Sequence, residues 1–362
     1  MPTAKSALDG ASLAQLKALK IAGVVTATIL VGFTLYALRQ ILEPFVLALF
    51  LLIIIDGLAR TLRRRAPGFA KPFALPGAIA FIVAVFALAI WLTADNAAAF
   101  ATQSGAYTAR INTLLENGAR QLGLNITPTA SSLLHALNPA KYVGVVAEAL
   151  SHFAEAAIFV LIYLGFLLAS RRGFATKARQ MFQTEGDWDE ATRIFERIRT
   201  GVERYIWVQT VVGALITALS AALMLATGLT HVAFWCVIIF LTNYIPAIGA
   251  AVGVLFPAVF GLVEFDGVWR AAILVGGLEA IHFAVSHVVQ PRMQGKSLNL
   301  DAIVVLLALA FWGAVWGVVG AFLSTPLTVM AMSILAEFPG ARPLAVLLSS
   351  DGKPYADLEA EA

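Results

Sequence analysis

Long apolar runs alternate with short polar stretches along this chain. The runs lie at about 21–38, 44–58, 75–93, 152–169, 204–226, 231–262, 268–288 and 302–334. A helix needs roughly 20 apolar residues to cross the hydrocarbon core of a bilayer. The runs are continuous rather than alternating, which argues against a transmembrane barrel. The pattern therefore predicts an all-α polytopic membrane protein with about eight transmembrane segments. Two of the runs, 231–262 and 302–334, are punctuated by proline and glycine and are read as broken or re-entrant. The second is also too long for one upright span.

The polar stretches order the rest. Residues 1–93 hold an N-terminal tail and the first three spans, the first two joined by the short turn "RQILEP". Residues 94–150 form a small extracytoplasmic insert whose apolar positions recur at helical spacing. Two or three helices are expected there, one of them joining the fourth span. Residues 151–338 carry spans four to eight, and 339–362 a C-terminal tail. Between spans four and five, "GDWDEATRIFERIRTGVERYIWVQ" predicts a helix capped by Asp187, with Glu190 reaching back. That helix is expected to run on into the fifth span.

Composition agrees with the pattern. Of 362 residues, 60% are hydrophobic and 13% charged, too little polar surface for a water-soluble domain of this size. Lysine and arginine orient the spans. With a cytoplasmic N-terminus and eight single crossings, 19 fall inside and 6 outside. The net charge of +3 is thus explained by orientation, and "RTLRRR" at 60–65 by anionic headgroups. No nucleic-acid partner is expected. Cys236 is the only cysteine, which excludes an internal disulfide and any multi-cysteine metal site. Metalloprotease, nucleophile-elbow, Walker and dinucleotide motifs are absent from the sequence. Neither a cofactor nor a catalytic centre is expected.

Candidate chemistry sits where polar residues or helix breakers enter apolar runs. In "LTNYIPAIGAAVG", Pro246 deletes a backbone donor and Gly249 permits a bend, beside Asn243 and Tyr244. Irregular backbone is tolerated at membrane depth only against protein or a water-filled cavity, and such breaks form substrate and ion sites in transporters. A kink serving only helix packing is the alternative. In "GLEAIHFAVSHVVQPRMQG", Glu279, His282, Ser286 and Gln290 share one helical face, with His287 beside it. A charge at mid-membrane is expensive, so Glu279 is read as a cation or proton site, with His282 next to it. The alternative is bonding to neighbouring helices. In "WGAVWGVVG", Gly313, Gly317 and Gly320 form a small-residue packing face, with a re-entrant turn as the alternative. Asp56 is read as a structural partner of Arg60. His135, His152 and His231 are read as loop or interfacial residues, and Asn125 as a loop asparagine.

Several of these motifs together resemble a known family. They are Tyr205 and Gln209 in "YIWVQTVVGAL", Tyr244–Ile245–Pro246 with Gly249, and Pro291 with Gly295. Leu298, Leu300, Trp316–Gly317, Gly320 and Pro326 follow at fitting spacing. Over about 200–335, and more loosely over 20–170, the chain is similar to the autoinducer-2 exporter family of PerM-like permeases. The resemblance implies a bacterial inner-membrane permease that exports a small polar or signalling solute such as autoinducer-2. Some members are linked to sodium–proton antiport, and homo-oligomers, pentamers among them, are implied. Family members often carry a Gln/Glu-rich turn before the proline matching Pro291. Here that turn reads "HFAVSHVVQ" and the acid lies further back, at Glu279. A passive pore or membrane scaffold is the remaining alternative.

Overall fold

The computed structural model describes residues 4–65, 139–182, 184–265, 267–294 and 299–353, with isolated positions between 76 and 113. The expected third span and most of the insert, with His135 and Asn125, lie outside the described residues, as does Gly295. Within them the chain is helical, and its β-structure is a single bridge, Leu300 to Ser349.

Helix α1 (Ala4–Ala37) meets α2 (Arg39–Arg65) at Leu38. The expected turn over "RQILEP" is instead helix, with Pro44 inside α2. Pro44 lies past the first turn, so the helix forgoes one ladder bond there, to the Gln40 carbonyl. Helix α3 (Pro139–Met181) runs unbroken from the insert through the fourth span, as the spacing predicts. Helix α4 (Glu185–Thr227) likewise continues into the membrane. Its cap is Thr184, whose Oγ1 accepts from the Asp187 N–H at 3.1 Å, so Asp187 serves as a first-turn acid rather than as the cap.

The two punctuated runs are both hairpins. In the first, α5 (Val232–Thr242) and α6 (Ile248–Glu264) run antiparallel. Their base is closed by the Thr230 N–H donating to Glu264 at 2.9 Å, and Trp235 packs on Phe260 with ring centroids 5.4 Å apart. Helix α7 (Val268–Ala284) follows, widens into a π turn at Val285–Val289, and continues as α8 (Gln290–Gln294). The second hairpin is α9 (Ala302–Glu337), whose ladder is interrupted at Trp316 and Gly317. The Trp312 indole donates to Thr328 at 3.3 Å across 16 residues. A straight helix would hold those residues about 24 Å apart. The chain therefore reverses at Gly317. The glycines serve this turn: Gly317 has φ +59°, and a Cβ on Gly320 would collide with the Trp312 carbonyl. Short α10 (Arg342–Leu348) packs Ala345 against Met332 and Ala336 at the hairpin base.

Two ion-pair groups locate the faces of the molecule. Arg60 of α2 bonds Glu203 of α4, which Arg199 also reaches at 3.1 Å. Arg197 pairs with Glu337 at 3.3 Å, placing the base of the second hairpin on this same basic face. Thr227 ends α4 about 36 Å away, beside the base of the first hairpin. The two hairpins thus enter from opposite faces. Their packing is aliphatic: Val212, Ile216, Ile239, Leu274 and Leu278 form the main core. Side chains such as Ile29, Phe33, Phe166 and Trp269 point outward and exposed, as lipid-facing residues do.

Candidate functional site: a polar cavity between two opposed hairpins

The tip of the first hairpin is built by its sequence. Pro246 cannot donate, and the chain turns in shorter steps before it rejoins the helical ladder at Gly249. The Ile245 N–H donates to Thr242 at 2.9 Å and the Gly249 N–H to Ile245 at 2.9 Å. Between them Ala247 adopts φ +62° and ψ −38°, with the Ile248 N–H on the Pro246 carbonyl at 2.7 Å. This is the rare γ-turn of positive φ, a strained conformation for a residue with a Cβ. Gly249 is required beneath it, because a Cβ there would lie 2.5 Å from the Thr242 carbonyl oxygen.

The turn leaves carbonyls without helical partners, and α4 supplies them. The Gln209 amide donates to the Asn243 carbonyl at 3.2 Å, while the Asn243 amide donates back to the Gln209 carbonyl at 3.3 Å. The Tyr205 hydroxyl donates to the Tyr244 carbonyl at 3.4 Å. Thr210 donates to Ile206, so its hydroxyl accepts from the Tyr244 hydroxyl at 2.7 Å. The Tyr244 ring stacks on Phe322 of the second hairpin, centroids 4.9 Å apart. The broken segment is therefore satisfied by protein, as burial in a membrane demands.

Beside this tip lies a cavity of about 650 Å³. Asn243, Pro246 and Gly249 line it from the tip, Tyr205 and Gln209 from α4. His282, Ser286 and Gln290 line it from α7 and the helix that continues it. The Gln290 amide donates to Gln209 Oε1 at 3.1 Å, so α8, α4 and the tip share one amide chain. The π turn contributes to the alignment. An i→i+5 turn holds more residues per revolution, so residues four apart stay close to one line. His282 is only 3% exposed, and its Nε2 has no hydrogen-bond partner. It sits over Gly253, where a Cβ would come within 3.0 Å. Thr325, from the second hairpin, lines the cavity with an equally unpartnered hydroxyl. Buried polar groups without partners are uncommon and call for an explanation.

The remaining candidates lie elsewhere. Glu279 lies one turn before His282 on the exposed side of α7 and does not line the cavity. His287 is also outward, stacked on Phe283. His231 begins α5 and meets Phe260 edge-on. His152 lies within α3, and Pro291 in the first turn of α8. Gly313 faces Ala321 across the second hairpin, and Pro326 is buried in its returning arm. Arg60 bonds Glu203 of α4. Sequence reasoning missed Thr325, Asn299, Ser350 and Asp351 as cavity residues. The last three follow from how the C-terminal strand returns, which no local pattern announces.

Comparison with known proteins bears on a cavity of this kind. A family model described as AI-2E family transporter matches residues 25–340. The chain belongs to the AI-2E transporter family. It is similar to "AI-2 transport protein TqsA" of Escherichia coli K12, 28% identical over 323 residues, covering 87% of this chain and 91% of that one. A "Putative transport protein" of Haemophilus influenzae is 27% identical over 329 residues, 88% and 92% of the two chains. "Putative transport protein YhhT" of E. coli K12 is 27% identical over 348 residues, 94% and 95%. Family and fold together make this a multi-pass membrane protein with a transport role.

Proposed function

We propose that the chain is a secondary permease of the bacterial inner membrane that exports a small polar or signalling solute, such as autoinducer-2, along the cavity between its hairpins. One observation carries this: the tip of a broken membrane segment, braced by an amide chain, faces a polar cavity of about 650 Å³. The family assignment and the name of the E. coli relative, an AI-2 transport protein, support it. Amides, hydroxyls, an imidazole and the Asp351 carboxylate share the lining with apolar groups, which suits a small solute that both donates and accepts hydrogen bonds. His282 is the titratable group placed to couple passage to a proton or cation gradient. Glu279 faces outward, where a second copy of the chain in a homo-oligomer would meet it. The basic face is cytoplasmic by the positive-inside rule.

The test is flux in proteoliposomes under an imposed gradient. Autoinducer-2 is expected to move with the gradient, and Ser286→Trp, which fills the cavity, to abolish movement without changing the elution profile. Flux that persists in Ser286→Trp overturns the passage. Dissipation of a proton gradient by sodium or lithium alone would establish the antiporter instead. Flux indifferent to ionophores would establish a passive pore.

A further inference from the structure

Two strands of chain that are not part of either hairpin line the basic-face end of the cavity. One is Asn299–Asp301, which leads into α9. The other is Leu348–Lys353, which follows α10. They are tied by main-chain bonds: Asp301 N–H to Leu348 at 3.2 Å and Ser350 N–H to Asn299 at 3.0 Å, around the Leu300–Ser349 bridge. Side chains then lock the pair. The Asn299 amide donates to Asp351 Oδ1 at 2.9 Å and to the Lys353 carbonyl at 2.7 Å. The Ser350 hydroxyl donates to Asn299 Oδ1 at 2.6 Å. Asn299 holds φ +42°, a left-handed conformation that asparagine tolerates better than most residues.

Asn299, Leu300, Ser350 and Asp351 all line the cavity, opposite the Asn243–Ala247 tip. Five side-chain and main-chain hydrogen bonds converge on Asn299 and its two-residue bridge, and the side-chain ones lie at an exposed edge where water competes for them. A larger sheet or a buried core would be hard to open reversibly. A clasp of this size is not. Beneath it, Leu300 and Leu348 pack together on the small apolar cluster of Met332, Ala336 and Ala345.

We propose that this clasp is the gate at the basic-face mouth: while Asn299 holds Ser350 and Asp351 the cavity is shut on that side, and release of the C-terminal strand opens it. The inference rests on the cavity being the passage, and the experiment separates the two.

The experiment is thiol accessibility in inside-out vesicles. Cys236→Ala removes the native thiol and Ser286→Cys places one in the cavity. A membrane-impermeant maleimide then reports the open mouth. With the clasp intact, labelling is slow. Asn299→Asp sets a carboxylate against Asp351 without removing atoms, and should raise the labelling rate at least about five-fold, like-charge repulsion replacing a hydrogen bond. The exchange Asn299→Asp with Asp351→Asn restores the amide–carboxylate pair, though not the bond to the Lys353 carbonyl, and should slow labelling well below the rate of Asn299→Asp. Ser350→Ala should give an intermediate rate. All variants are compared at matched elution profile, and the swap guards against a loosened fold, which it would not repair. A rate unchanged within two-fold in Asn299→Asp, or a fast rate that the swap fails to slow, overturns the gate and leaves the passage standing. A thiol unreactive in every variant overturns both.

Discussion

At Gly249 the structure leaves no room for even one methyl group. A Cβ there meets backbone, the Thr242 carbonyl oxygen at 2.5 Å and the Asn243 Cα at 2.9 Å, and backbone within a turn cannot swing aside. Gly276, on the exposed side of α7, has nothing within 4 Å. The same substitution should therefore act in opposite directions. Gly249→Ala is expected to destabilise by about 1–3 kcal/mol through overpacking. Gly276→Ala is expected to stabilise by about 0.5–1 kcal/mol, because alanine loses less backbone freedom in a helix. Thermal melts of both in one detergent check this, and equal shifts would contradict the turn geometry. The break at Pro246 and Gly249 was legible in the sequence because each residue removes something helix needs. The role of Glu279 was not. Its spacing to His282 looks like one face, yet three residues is a rotation of about 60° short of a full turn, enough to separate a cavity wall from an outer surface. Asp351 adds a pH dependence at this scale. The Lys353 N–H and the Asn299 amide hold its carboxyl below the usual range, and Lys353 is the charged group beside it. A depressed folded-state pKa means the clasp is fully stabilised above the ordinary carboxylate range and weakens as pH falls through the depressed value. Amide exchange at Ser350, corrected for its intrinsic pH dependence, should accelerate only in strong acid. Asp351→Asn should lose that step.

The helical elements were legible wherever one apolar run made one helix, as in α4, where first-turn acids and period agree although the cap is Thr184 and not Asp187. Hairpins defeat that logic. Neither arm of α9 carries a polar stripe toward water, because one faces lipid and the other, with Ser324, Thr325, Thr328 and Ser333, faces protein, so nothing marks where the chain reverses. The small-residue spacing of Gly313, Gly317 and Gly320 fits a packing face and a turn equally well. Geometry separates them: Gly317 holds φ +59° and ψ −137°, a region close to glycine-only. The Trp316 indole donates to the Leu35 carbonyl at 3.1 Å, so the tip also pins the junction of α1 and α2. Gly317→Ala is expected to cost about 1–3 kcal/mol in stability from backbone strain alone. Gly313→Ala, which meets Ala321 only at ordinary contact distance, should cost little. A packing-face role predicts the reverse order, and thermal melts of the pair distinguish the two.

Two hairpins in place of two crossings change the arrangement of the whole molecule. Eight single crossings put Arg270 on the same side as Arg60 and leave Arg292 and Lys296 opposite. With both hairpins returning to the face they entered, α7 starts beside Glu264 and ends on the basic face. Arg292, Arg342 and Lys353 then join Arg60, Arg197 and Arg199, and among the described later basic residues Arg270 alone lies across. The hairpin topology thus obeys the positive-inside tendency better than the crossings it replaces. It also explains how a chain so apolar can hold a polar cavity. The tip of the first hairpin packs on protein, so its freed carbonyls meet Gln209 and Tyr205 rather than lipid. The arrangement is directly testable with single cysteines in the Cys236→Ala background and an impermeant maleimide. Thr230→Cys and Glu264→Cys should react from one side of the membrane. Asp301→Cys, Arg342→Cys and Lys177→Cys should all react from the other. Asp301 and Arg342 are the deciding pair: one crossing by 302–334 places them on opposite sides, and a hairpin places them on the same side. Reaction of these two from opposite sides would overturn the topology, and with it the opposed tips on which the cavity depends.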